Sequence, residues 1–184
     1  MKIHAIVTAT LLAGLVGITA LSVAPSVASA SGSKAESKFE MVSGAAAGRI
    51  VGTYETSGGV SVCGSTFPPN PVGNTLMFHA GGTVTESPRF APTGAQGVFG
   101  LPGVFTRTIG LGTWSYNPIT RSYSMRLRYD FFIDGIYYGF GTVDRDIKLS
   151  ADGNQASGPV KASVYTAGGS TIVDLCGQVV STRL

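Results

Sequence analysis

The feature that most constrains the fold is a run of alternating side chains between residues 123 and 133. Period two over six apolar positions is typical of a β-strand with one buried face and one solvated face. The apolar members are Tyr123, Met125, Leu127, Tyr129, Phe131 and Ile133, and the polar residues between them include Ser124, Arg126, Arg128 and Asp130. Asp134-Gly135 follows and favours a two-residue hairpin turn. The pattern predicts an antiparallel, all-β protein.

The return strand of this hairpin predicts an irregularity. With a two-residue loop and regular pairing, Asp144 and Asp146 would fall on the apolar face, where an unpaired carboxylate is costly. One extra residue near Gly139-Phe140-Gly141 turns the apolar residues inward and sets Asp144 opposite Arg126. We therefore predict a β-bulge in this segment, where glycine tolerates the geometry. The same shift points Arg145 to the inside of the sheet.

The rest of the chain after residue 48 consists of short strand patterns separated by turns, without a helical pattern. We count eight or nine strands and expect Gly58-Gly59 to turn the first of them. Closure removes the exposed edges of such a sheet. The sequence predicts an antiparallel up-and-down β-barrel of about eight strands, with a β-sandwich as the alternative.

Two cysteines, Cys63 and Cys176, favour a disulfide, provided that the chain is exported to an oxidising compartment. Cys63 lies early in the fold and Cys176 lies in the last predicted strand. A disulfide between them requires the first and last strands to be neighbours, which is what a closed barrel provides.

The start of the chain is typical of an export signal. Lys2 precedes a long apolar run, and Ala28-Ser29-Ala30 is a small-residue cleavage site. We expect a cleaved signal peptide over 1–30, a flexible leader over 31–48 and a single barrel domain over 49–184. Because no cysteine follows the cleavage site directly, a lipoprotein anchor is not expected. The mature protein is expected to be secreted or periplasmic, without a stable membrane span.

The charge pattern argues against a nucleic-acid partner. The formal net charge of the whole chain is +3, and its basic residues form no block. Asp130, Asp144 and Asp146 are expected to form ion pairs with arginines across the strands. His79 is the only histidine after the signal and is expected to be structural. Neither a metal site nor a cofactor is expected.

An inward Arg145 is the most informative charge, because a buried guanidinium needs a carboxylate or a ligand's acid group. One hypothesis makes it the binding partner for the anionic head group of an apolar ligand. The wall of the cavity would then include the aromatic residues Trp114, Tyr129, Phe131, Tyr138 and Phe140. The alternatives are a buried ion pair for the arginine and ordinary core packing for the aromatic residues.

Several motifs together resemble a group of small exported, mostly uncharacterised bacterial proteins that are lipocalin-like. They are Phe78-His-Ala-Gly-Gly-Thr-Val-Thr-Glu86, Gly110-Leu-Gly-Thr-Trp114, Asp134-Gly135, Val143-Asp-Arg-Asp-Ile-Lys-Leu-Ser-Ala-Asp-Gly153, Cys176-Gly177 and Ser181-Thr-Arg183. Gly112-Thr113-Trp114 is similar to the Gly-x-Trp motif of lipocalins, whose tryptophan closes one barrel end under an arginine, here Arg183. Gly52-Thr53-Tyr54 is a second candidate for that motif. The resemblance implies a calycin-like barrel and no particular activity.

Three functions fit these observations. The favoured one is a secreted, non-enzymatic barrel that binds a small apolar or amphipathic ligand in its cavity. The second is a barrel enzyme, such as a cyclase or isomerase, with Asp144, Arg145 or His79 at the cavity floor. The third is a cell-envelope interaction protein whose contact surface is Ser87–Gly103, a long loop expected to cross one end of the barrel.

Overall fold

A computed structural model of the chain describes Gly44, residues 46–89, Ala91 and residues 93–184. The expected signal peptide, and most of the expected leader, lie outside these described residues. Within the described ranges, the structure has no helix with the length and hydropathy of a transmembrane segment.

Ten strands make up nearly all of the described chain. They are β1 (Gly52–Val62), β2 (Asn70–Phe78), β3 (Thr83–Pro88), β4 (Ala95–Gln96), β5 (Val104–Arg107), β6 (Gly110–Asn117), β7 (Ser122–Ile133), β8 (Ile136–Leu149), β9 (Gln155–Thr166) and β10 (Thr171–Arg183). A short 3₁₀ turn spans Val98–Gly100.

Eight of these strands close into an antiparallel barrel. Their order is β7, β6, β3, β2, β1, β10, β9 and β8, and β8 pairs with β7 again. The remaining two, β4 and β5, form a ribbon that pairs with the end of β7 beyond β6. The predicted barrel is confirmed and the sandwich alternative is excluded, because one continuous sheet closes on itself.

The hairpin of β7 and β8 contains the predicted bulge. Phe131 pairs with Gly139, whereas Phe132 pairs with Tyr137, so Tyr138 is the extra residue. The irregularity therefore lies one position before the predicted glycine-flanked segment. Beyond the bulge, Asp144 lies opposite Arg126 and Arg145 opposite Met125, as the corrected register requires.

Strand β1 continues through Gly58-Gly59, so the turn predicted there is wrong. A Cβ atom on Gly58 would collide with the main-chain oxygen of Gln178 and with Val179. The glycine is therefore needed for the close approach of β1 and β10, and it does not reverse the chain.

A disulfide joins Cys63, directly after β1, to Cys176 in β10, with 4.9 Å between the two Cα atoms. The predicted pairing is therefore confirmed. The bond pins the first and last barrel strands, which also pair along their length from Tyr54 to Val62.

Residues 46–51 cross one end of the barrel and close it. Ile50 is fully buried, and the carbonyl oxygen of Ala46 accepts a hydrogen bond from the Tyr123 hydroxyl at 2.6 Å. The Arg49 guanidinium donates to the main-chain oxygen of Ala151 at 2.7 Å. The described end of the expected leader thus packs against the barrel.

Arg183 anchors this closed end on Tyr54. Its guanidinium lies 4.7 Å from the centre of the Tyr54 ring and donates to the carbonyl oxygens of Val51 and Gly153 at 2.8 and 3.1 Å. Trp114 packs nearby on Phe78 and Tyr123. The arginine partner is therefore the tyrosine of Gly52-Thr53-Tyr54 and not Trp114, because Tyr54 pairs directly with Arg183 between β1 and β10.

Candidate functional site

A cavity of about 710 Å³ lies inside the barrel above the closed end. This volume falls in the range of roughly 300–1,000 Å³ that small-molecule sites occupy. Aliphatic residues from five strands form much of its wall, among them Val60, Val62, Leu127, Val143, Val160 and Leu175. The interior is therefore suited to an apolar molecule.

Arg145 lines the cavity from β8 and is only 4% exposed. Its Nη1 donates a hydrogen bond to the Ser181 hydroxyl at 3.0 Å, and that hydroxyl lies 2.8 Å from Thr56 Oγ1. Burial lowers the pKa of Arg145 to about 10, so the group remains a cation at neutral pH.

The other edge of this guanidinium meets no polar group in the described part of the chain. Among the described residues, neither Nε nor Nη2 of Arg145 has a hydrogen-bond partner, and no carboxylate forms an ion pair with the group. Buried polar groups are normally hydrogen-bonded and buried charges are normally paired. Arg145 therefore departs from both rules at the wall of the cavity.

A second polar group in the cavity wall was not predicted from the sequence. Arg107 forms a buried ion pair with Glu86, and its guanidinium lies 3.8 Å from the centre of the Tyr129 ring. Glu86 also accepts a hydrogen bond from the Asn74 side chain at 2.9 Å. Burial lowers the pKa of Arg107 to about 10, while Tyr129 opposes that shift. The signal was available, since Glu86 lies two residues after the buried Val84 on the same face of β3.

The segment after β3 reaches over the cavity, as expected for part of the loop between Ser87 and Gly103. Val98 and Phe99 line the cavity, and the Phe99 ring packs edge-on against Phe105 at 5.5 Å. Phe99 has a φ of 57°, a backbone conformation that side chains other than glycine seldom adopt. Arg89, which precedes this segment, lines the cavity and pairs with Glu55.

The structure brings two of the predicted site residues, Arg145 and Tyr129, to the cavity. Phe131 and Trp114 do not line it and instead belong to the packed interior, Phe131 being fully buried. Tyr138, in the bulge, is 40% exposed and packs its ring on Phe131 at 5.8 Å.

Phe140 does not line the cavity, contrary to the prediction from the sequence. It lies on the outer face of β8, stacked on Tyr165 at 4.9 Å, with the Arg128 guanidinium 4.0 Å from its ring centre. The cause is the position of the bulge. Because Tyr138 is the inserted residue, Gly139 and Gly141 face inward and Phe140 faces outward.

The remaining titratable candidates lie away from the cavity. Asp144 accepts a hydrogen bond from Arg126 at 2.6 Å on the outer face. His79 is half-buried and hydrogen-bonded to the Thr85 hydroxyl at 3.0 Å. Within the described part of the chain, no group of three His, Cys, Asp or Glu side chains is placed to hold a metal ion.

Comparison with known proteins does not assign the chain to a family. No protein-family model matches the chain, and neither the curated proteins nor the solved structures gave a match. The resemblance to lipocalin-like exported proteins therefore stays a prediction from the motifs.

Proposed function

We propose that this protein is an exported barrel that binds a small apolar or amphipathic molecule in its cavity. The observation that carries the proposal is the cavity of about 710 Å³ with its aliphatic wall, above a closed and packed barrel end. An apolar cavity of this size offers a small molecule packing contacts and removal of its apolar surface from water. Export is supported by the disulfide, which is typical of oxidising compartments.

Fluorescence of the neutral probe N-phenyl-1-naphthylamine tests the proposal. The probe brightens in apolar surroundings, and we expect saturable binding to the purified protein at one site. Ala162→Trp places a large side chain in the cavity wall and should abolish most of this binding. Lys161→Trp is the matched control, because the adjacent position on β9 is exposed.

Equal loss of binding in the two tryptophan variants would contradict the proposal, provided that circular dichroism shows both to be folded. Absence of saturable binding by the wild-type protein would contradict it directly.

A further inference from the structure

We infer that the cavity takes a monoanionic amphiphile, whose carboxylate binds Arg145 at the floor while its apolar tail extends away from the closed end. This inference rests on the proposed function, because it names the class of ligand for the same cavity. Its basis is the charge balance and the hydrogen bonding of the arginines in the wall.

The charges of the wall leave one positive charge unbalanced. Arg89, Arg107 and Arg145 all line the cavity. Arg89 pairs with Glu55 and Arg107 pairs with Glu86, so three guanidiniums meet two carboxylates among the described residues. The excess is one positive charge (3 − 2), and it resides on Arg145. A ligand with one negative charge neutralises the cavity, whereas a neutral ligand leaves the buried cation uncompensated.

The free atoms of Arg145 fit a carboxylate. Nη1 donates to Ser181, and Nε and Nη2 are the two nitrogens that have no partner among the residues that the structure describes. These two nitrogens lie on one edge of the guanidinium plane, and their N–H bonds point in nearly the same direction. A carboxylate accepts two parallel hydrogen bonds from such an edge. A hydroxyl or an ester oxygen satisfies only one of the two donors.

The neighbours of Arg145 set the orientation of the ligand. Ser181 and Thr56, which hold Nη1, lie two residues from Arg183 and Tyr54 of the closed end. The head group is therefore placed low in the cavity. Met125, the cross-strand neighbour of Arg145, also lines the cavity, and its unbranched side chain can adjust around a head group. The aliphatic wall lies beyond it.

Displacement of N-phenyl-1-naphthylamine by dodecanoate and by dodecanol tests this inference at about pH 8, where the acid is ionised. The two competitors share one tail and differ in the head group. We expect dodecanoate to displace half of the probe from the wild-type protein at a concentration about tenfold lower than that of dodecanol, or lower still. The reason is that hydrogen bonds to charged groups are among the stronger ones.

Arg145→Met should abolish this preference while it retains displacement by dodecanol, and Arg145→Lys should keep part of the preference. Arg126→Met is the matched control, because Arg126 is exposed on the outer face, and it should behave like the wild type.

The two proposals fail in different ways. If the probe does not bind the wild-type protein, the proposed function is contradicted. Probe binding with equal displacement by both competitors leaves the proposed function standing and overturns the carboxylate inference. A preference for dodecanoate that survives in folded Arg145→Met also overturns it, because another group would then hold the acid.

Discussion

At the scale of single residues, Arg145 is a buried cation that no carboxylate of the described residues neutralises. Within the same part of the chain its guanidinium bonds to Ser181, and two of its nitrogens have no hydrogen-bond partner. Such a group costs folding free energy in the ligand-free protein, because removal from water is not offset by an ion pair. A residue with this cost is more easily understood as a binding group than as a structural one.

Arg145→Met is therefore expected to stabilise the ligand-free protein. Replacing a buried charge by an apolar side chain of similar length should raise the free energy of unfolding by about 1–4 kcal/mol. Urea denaturation of delipidated protein measures this change. Arg126→Met, at an exposed ion pair, should change it by less than about 1 kcal/mol. A large loss of stability in Arg145→Met would show that the arginine is needed for folding.

Tyr123 gives a prediction about alkaline pH. Burial raises the pKa of Tyr123 above its ordinary value of 10.0, with a smaller contribution from Tyr116. A raised folded pKa means that the stability from Tyr123 is fully present below the unfolded pKa and is lost as pH rises through the folded pKa. Tyr123→Phe loses only the hydrogen bond to Ala46, about 1 kcal/mol at pH 8.

The stability difference between the wild type and Tyr123→Phe should therefore shrink between about pH 8 and about pH 10.5. Comparing the two proteins at each pH removes the contributions of the other titrating groups, which they share. Urea midpoints provide the measurement, and a difference that stays constant or grows with pH would refute the assignment.

At the scale of elements, the hairpin of β7 and β8 shows what sequence patterns can supply. The alternation from Tyr123 to Ile133 predicted β7, and the misplaced aspartates predicted the bulge in β8. The exact inserted residue was not predictable, because Tyr137 to Gly141 combine aromatic residues and glycines without a period. An insertion at Gly141 would have set Phe140 opposite Tyr129 on the inner face, whereas the insertion at Tyr138 sets it opposite Asp130 on the outer face.

Insertion of one alanine between Gly141 and Thr142 tests the register that the bulge sets. With this extra residue, the pairing beyond it places Asp144 and Asp146 inside the barrel and Arg145 outside. We expect a loss of more than about 4 kcal/mol of stability, because two carboxylates would be buried without partners. Deletion of Tyr138 removes the bulge but leaves Gly139 opposite Phe131 and Asp144 opposite Arg126, so it should cost far less. Similar urea midpoints for the two variants would argue against this role of the register.

At the scale of the whole molecule, closure followed from the two cysteines and from the absence of a helical pattern, whereas the cavity did not. Whether a barrel interior is filled depends on which inward residues are large and how strongly the strands tilt, and neither is a local property. Alternation along β3 marks Glu86 as an inward residue, but β6 and β7 separate β3 from β5 in the sheet, so strand pairing does not identify Arg107 as its partner.

The disulfide closes a loop of 113 residues. Removing so long a cross-link should lower the free energy of unfolding by about 4–5 kcal/mol in the chain-entropy model. Cys63→Ala combined with Cys176→Ala, measured by urea denaturation, should match the reduced wild-type protein. A loss below about 1 kcal/mol would mean that the strand pairing alone determines closure.

The bulge at Tyr138 also determines which residues of β8 face the interior of the barrel. Every residue of β8 beyond it faces the cavity or the solvent according to whether its distance from the inserted tyrosine is odd or even. While the bulge is kept, insertions and deletions in the rest of this strand should accordingly be tolerated in twos and rejected singly. Among natural variants that keep the bulge, the number of residues between the hairpin turn and the arginine should stay even or stay odd, even where the residue types change.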